Sequence, residues 1–180
     1  MAYCTLIEKK LSAMNKTRYI WIALCIGLIG FLFSCEKPIA AEDPDLLNKL
    51  YSESKDTIET ESSKYILETE LYRDFMPGAL FPAKRPLSAL VILINLDSIT
   101  IPSTLNITKL YIIKDQLIWT SIPKDSNRNQ IPDFRLYKVS TDGPEWETEK
   151  PVDVVIEITN NLNNDKFLLI AMQQDIIRLE

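Results

Sequence analysis

The chain of 180 residues contains no histidine, and its three cysteines all lie near the amino terminus. The missing imidazole excludes Ser-His and Cys-His nucleophilic pairs, histidine general bases and zinc sites of the HExxH type. Because the cysteines are Cys4, Cys25 and Cys35, the long remainder of the chain has no thiol for a disulfide or a metal site. We therefore expect a protein that is not an enzyme. A carboxylate-based enzyme, for example one acting on glycans, is the alternative.

Glycine is also scarce, with four residues against ten prolines. Proline fixes φ and has no N–H to donate, so it collects at strand ends and in loops. This composition favours β-strands joined by stiff turns. The length of the chain suits one domain with tails rather than two domains.

An apolar, charge-free segment covers residues 19–33 and directly follows the basic residues Lys16 and Arg18. A basic region, an apolar region of about 7–15 residues and a small residue at its exit are typical of a secretory signal peptide. The segment is short for a transmembrane helix, which needs roughly 20 apolar residues. The sequence predicts a signal peptide over residues 1–34, with Met14 as its true start.

The exit of that segment reads Leu32-Phe33-Ser34-Cys35. It resembles the lipobox of bacterial lipoproteins, in the looser form found in spirochaetes and the Bacteroidetes group, because Phe33 departs from the enterobacterial pattern. The resemblance implies diacylglyceryl transfer to the Cys35 sulfur, cleavage before Cys35 and acylation, such as palmitoylation, of the new amino terminus. An uncleaved signal anchor and a secreted protein cut near residues 40–41 are the alternatives.

Two or more acyl chains would hold the protein stably on a lipid bilayer. By analogy with proteobacterial sorting, Glu36 after the cysteine implies the outer membrane. Loss of residues 1–34 would remove four basic residues and one acidic residue, which changes the formal net charge from −5 to −8. Such a balance opposes binding to nucleic acid and to anionic lipid heads, so the lipid must supply the anchor.

Residues 35–63 are predicted to form a lipidated acidic tether. Asp43 followed by Pro44 is typical of a helix start, and apolar residues at helical spacing over 46–51 predict a two-turn helix. Residues 52–63 have almost no apolar content and predict a flexible linker.

Residues 64–180 predict an all-β domain. Strand-like patterns cover 67–72, 87–96, 105–113, 117–119, 134–139, 152–158, 167–172 and 176–179. Short strands separated by turn signals favour an immunoglobulin-like two-sheet β-sandwich, with a small β-barrel as the alternative.

One loop carries oxygen side chains at the spacing of a calcium site. The candidate ligands are Asp125, Asn127, Asn129 and Asp133. The stretch resembles the D-x-D-x-D-G-I-P-D repeats of thrombospondin type 3 and the dockerin loop. It departs from them because Gln130 replaces the turn glycine and Leu136 stands where an EF-hand has its bidentate Glu. A polar interstrand loop is the favoured interpretation, with Ca²⁺ as the alternative and no other cofactor expected.

Two further loops carry large apolar residues. Trp146 lies between two acidic residues and either anchors a partner or covers the end of the core. Phe75, Met76 and Phe81 lie in a non-repetitive segment and either form an exposed patch or tuck under a sheet edge.

These features predict a membrane-anchored lipoprotein whose non-catalytic domain binds host or envelope proteins, in the outer membrane or at the cell surface. A periplasm-facing accessory or inhibitor lipoprotein is the alternative. The protein partner is not identified by the sequence.

Overall fold

A computed structural model of the chain describes residues 40–60, 62–76, 84–126 and 132–180. The predicted signal peptide and Cys35 lie outside the described residues. The described residues all belong to one compact unit. No helix within the described ranges is long and apolar enough to cross a membrane.

Eleven strands and one helix make up the described chain. In order they are β1 (Ala40–Glu42), α1 (Pro44–Glu53), β2 (Thr57–Thr60), β3 (Ser63–Asp74), β4 (Leu87–Asn95), β5 (Leu105–Lys114), β6 (Leu117–Ser121), β7 (Lys124–Asp125), β8 (Arg135–Ser140), β9 (Val152–Asn160), β10 (Lys166–Gln174) and β11 (Ile176–Leu179).

The strands form two sheets. Sheet A has the order β1-β6-β5-β9-β10, and sheet B has the order β11-β3-β4-β8-β7. Strands β2 and β11 share one edge of β3, because β2 pairs with residues 63–66 and β11 pairs with residues 71–74. The β11–β3 pair is parallel, and the other pairs are antiparallel.

The main core lies between the two sheets. Its buried side chains come from alternate positions of the facing strands, as period-2 side-chain alternation requires. Leu71, Val91, Ile112 and Ile156 are examples with almost no exposed surface. The predicted two-sheet sandwich is therefore confirmed, while its immunoglobulin-like character stays a prediction.

Helix α1 covers the outer face of sheet A. The Asp43 carboxylate caps it by accepting a hydrogen bond from the Leu46 N–H at 2.9 Å, and Pro44 follows in the first turn. Leu50 is buried against Tyr111 and Val155 of sheet A. The predicted helix start is confirmed.

The predicted flexible tether over residues 52–63 is wrong for the residues described. After α1 the chain runs along β10, where the Lys55 N–H donates to the Leu168 carbonyl at 3.0 Å. It then forms β2, in which Ile58 is buried. A strand at a sheet edge needs few apolar residues, because most of its side chains face water. The polar composition of β2 therefore did not predict a strand.

Candidate functional site

The structure describes five of the predicted site residues. They are Phe75, Met76, Asp125, Asp133 and Trp146. The lipidation residue Cys35, the apolar residue Phe81 and the proposed calcium ligands Asn127 and Asn129 lie outside the described residues.

Phe75 lies at the end of β3, where its backbone N–H donates to the Leu179 carbonyl of β11 at 2.8 Å. Three guanidinium groups lie over its ring. Their central carbons are 5.0 Å (Arg73), 4.8 Å (Arg85) and 4.2 Å (Arg178) from the ring centroid. Each distance is within the range of a cation–π interaction, so the ring stabilises three positive charges at one end of a chain whose net charge is negative.

Arg73 is the internal member of this group, with 8 % of its surface exposed. Its Nε donates to the Arg85 carbonyl and its Nη1 donates to the Trp146 carbonyl, both at 2.7 Å. Its Nη2 lies 3.6 Å from the Glu145 carboxylate. A buried charge is tolerated when its donors are satisfied, so Arg73 fixes two chain segments against the end of β3.

Arg178 and Arg85 lie nearer the solvent. The side chain of Arg178 is 53 % exposed, and its Nε donates to Glu180 at 2.8 Å. Arg85 is half-buried, and within the described part of the chain its guanidinium contacts the Phe75 ring but no carboxylate. The neighbouring Met76 is 56 % exposed. We call Phe75, Met76, Arg85 and Arg178 the Phe75 surface.

Trp146 is half-buried and packs against the main core. Its indole therefore covers the end of the sandwich, which is one of the two interpretations that the sequence left open. Its backbone carbonyl joins it to the Phe75 surface through Arg73. The structure thus brings together two loops that lie far apart in the sequence.

The two described carboxylates of the predicted calcium loop line one cavity of about 250 Å³. Asp125 lies 2.7 Å from Nζ of Lys138, whose side chain is almost fully buried, and Asp133 accepts a hydrogen bond from Thr100 at 2.5 Å. Arg135 and Lys138 line the same cavity. No group of three or more acidic, cysteine or histidine side chains that could hold a metal occurs in the described ranges. Calcium binding by this loop stays a prediction.

Sheet B has an apolar outer face that the sequence analysis did not single out. Leu90, Ile92 and Ile94 of β4 are buried there and form a cluster with Tyr137 and Val139. In the described chain every member of this cluster comes from sheet B or the residue before β8, whereas α1 packs on the outer face of sheet A. The sequence of β4 indicates such a face, because the side chains on both sides of this strand are apolar.

Charged residues border this face. Glu68 lies 3.6 Å from the Arg135 guanidinium, and Glu70 is exposed beside it. The hydrogen bond from Arg135 to the Tyr137 hydroxyl, at 3.5 Å, raises the pKa of the guanidinium further.

No family model, no curated protein and no solved structure matches the chain. A β-sandwich by itself carries no activity, so any function depends on the side chains that it displays.

Proposed function

We propose that the chain is a lipoprotein, anchored to the outer membrane through an acylated Cys35, whose β-sandwich binds a protein partner through the Phe75 surface and is not catalytic. The anchor is supported by the basic residues, the apolar segment 19–33 and the Leu32-Phe33-Ser34-Cys35 exit. The domain is displayed at the cell surface toward host proteins or faces other envelope proteins.

One observation carries the binding role: the convergence of three arginines on Phe75 beside an exposed methionine. Aromatic residues, Met and Arg are enriched in the central parts of protein interfaces, and Arg is frequent among the residues that dominate binding energy. The buried Arg73 holds the ring in place. Such a pre-ordered group loses little conformational entropy when a partner binds.

Photo-crosslinking tests the binding role. Met76 is replaced by p-benzoylphenylalanine in the full chain, and cells are irradiated in their native medium. Leu162 is the matched control position, because it is 76 % exposed and lies in the β9–β10 turn at the opposite end of the sandwich. We expect a protein adduct from position 76 and none from position 162. Equal adducts from both positions, or none from either, would show that the Phe75 surface is not the binding site.

Protease treatment of intact cells distinguishes the two display directions. Digestion of the domain on intact cells would favour binding to host proteins. Protection that ends when the outer membrane is opened would favour the periplasm-facing accessory or inhibitor role. The identity of the adducted protein, of host or envelope origin, should agree with the protease result.

A further inference from the structure

We infer that the group recognised by the Phe75 surface is a side-chain carboxylate on an acidic segment of a partner protein, bound through Arg85 and Arg178. This inference rests on the proposed function and names the chemistry of the partner. It also predicts that binding depends on charge and not on apolar contact alone.

The first argument is local charge balance. Arg73 is paired with Glu145 and Arg178 with Glu180, whereas Arg85 has no carboxylate partner among the described residues. Three positive charges close to one ring repel each other, and the ring offsets part of that repulsion. Asp74 beside the ring accepts a hydrogen bond from the Met76 N–H, and the half-buried Arg85 is the arginine of this group that a carboxylate from a partner would pair.

The second argument is geometric. The guanidinium carbons of Arg85 and Arg178 lie 4.8 Å and 4.2 Å from the same ring centroid, so the two charges are at most 9.0 Å apart and can both be reached by one short acidic segment. A carboxylate has two oxygens, each of which accepts charge-assisted N–H···O bonds of about 2.8 Å, and the planar guanidinium matches it in a fork geometry. The exposed Met76 beside the arginines supplies apolar contact for the residues that flank the carboxylate.

The third argument selects a protein segment over a polyanion. The whole chain has a formal net charge of −5 and becomes more negative if residues 1–34 are removed. At long range this charge repels nucleic acid and an anionic bilayer, whose binding requires many neutralised phosphates. Two accessible arginines suffice for one or two carboxylates on a short segment.

The test is a titration of the lipidated protein that begins at Cys35, in zwitterionic detergent. Binding is followed through the NMR signals of the arginine Nε–Hε groups. The probe is the peptide acetyl-Ser-Glu-Leu-Glu-Ser-amide, and its glutamine counterpart, acetyl-Ser-Gln-Leu-Gln-Ser-amide, is the uncharged control. We expect saturable shifts of Arg85 and Arg178 with the acidic peptide and none with the glutamine peptide. Inorganic phosphate and phosphatidylglycerol, the latter incorporated into the detergent micelles, are added in separate titrations.

Three variants assign the effect. Arg85→Gln should weaken binding of the acidic peptide by about 10-fold or more, because it removes hydrogen bonds to a charged group. Arg85→Lys should retain part of the affinity, since it keeps the charge and loses the fork. Arg135→Gln, on the outer face of sheet B, should leave binding unchanged. Equal melting temperatures of the variants show that the fold is intact.

Equal binding of the glutamine peptide, or unaltered binding by Arg85→Gln, would overturn the inference. So would binding of phosphate or phosphatidylglycerol in place of the acidic peptide. The cross-linking experiment separates this failure from that of the proposed function. Adducts from position 76 that persist in Arg85→Gln would leave the binding role intact and overturn the carboxylate, whereas the absence of adducts would overturn the binding role itself.

Discussion

At the scale of single residues, a hydrogen-bonded carboxylate joins α1 to sheet A. The Tyr51 hydroxyl donates to Oδ2 of Asp153 at 2.6 Å, and the Gln173 N–H donates to Oδ1 at 2.8 Å. Asp153 is buried, so these donors replace the water that its carboxylate loses. Burial, followed by the hydrogen bond to Asp153 and its negative charge, raises the pKa of Tyr51 well above its usual value of 10.0.

The substitution Tyr51→Phe should lower the free energy of unfolding by about 1 kcal/mol at pH 7, a modest value because Tyr51 is partly exposed. The pKa of Tyr51 is raised in the folded state. Its hydroxyl therefore makes its full contribution to the free energy of unfolding below a pH of about 10, the pKa of an unperturbed tyrosine. Above that pH Tyr51 loses its proton in the unfolded state before it does so in the folded state, and its contribution to the free energy of unfolding decreases. Urea unfolding of both proteins at pH 7 and pH 10.5 checks this. A difference that grows at high pH would contradict it.

Gly143 lies against Trp119 at the same end of the sandwich as the Phe75 surface. A Cβ at this position would lie 2.8 Å from two carbons of the indole and 2.9 Å from the Leu87 carbonyl oxygen. Because the Gly143 N–H donates to that carbonyl, the backbone has little room to move. We expect Gly143→Ala to destabilise the fold by about 2 kcal/mol through overpacking. Denaturant unfolding measures this, with Glu149→Ala, exposed in the same connection, as a control that should change nothing.

At the scale of elements, α1 and β2 show what sequence patterns predict well and poorly. Asp43 and Pro44 predicted the helix start because capping depends on adjacent residues. The predicted strands over 105–113 and 117–119 correspond to β5 and β6, which form a hairpin with a short local turn. The parallel pairing of β11 depends on a distant part of the chain, because Ile176 pairs with Leu71. Strand β2 pairs with the adjacent β3 across a short turn, and its polar composition is the reason that the sequence did not predict it.

The burial of Leu50 tests whether residues 44–53 belong to the folded unit. Leu50→Ala should lower the free energy of unfolding by about 3 kcal/mol, because a fully buried leucine leaves a cavity against sheet A. Leu162→Ala, at an exposed turn, should change it by less than about 0.5 kcal/mol. If both variants unfold like the parent protein, α1 is not a structural part of the domain.

At the scale of the whole molecule, the candidate surface joins residues that are far apart along the chain. Phe75 and Met76 were identified from the sequence as a candidate patch, and Trp146 was identified separately. The arginines at 85 and 178 were not identified, because isolated arginines in a polar context carry no pattern. The β11–β3 pairing brings Arg178 beside Arg73, so that part of the site exists only in the folded protein.

The central proposal is that a lipid on Cys35 holds the domain, and with it the Phe75 surface, at a membrane. Mass spectrometry of the amino-terminal peptide tests this lipid attachment most directly. Protein from the membrane fraction should begin at Cys35 and carry a diacylglyceryl group and an amide-linked acyl chain, and Cys35→Ser should yield no acylated peptide. An unmodified peptide that begins elsewhere, for example after residue 41, or one that retains residues 19–33, would contradict the account.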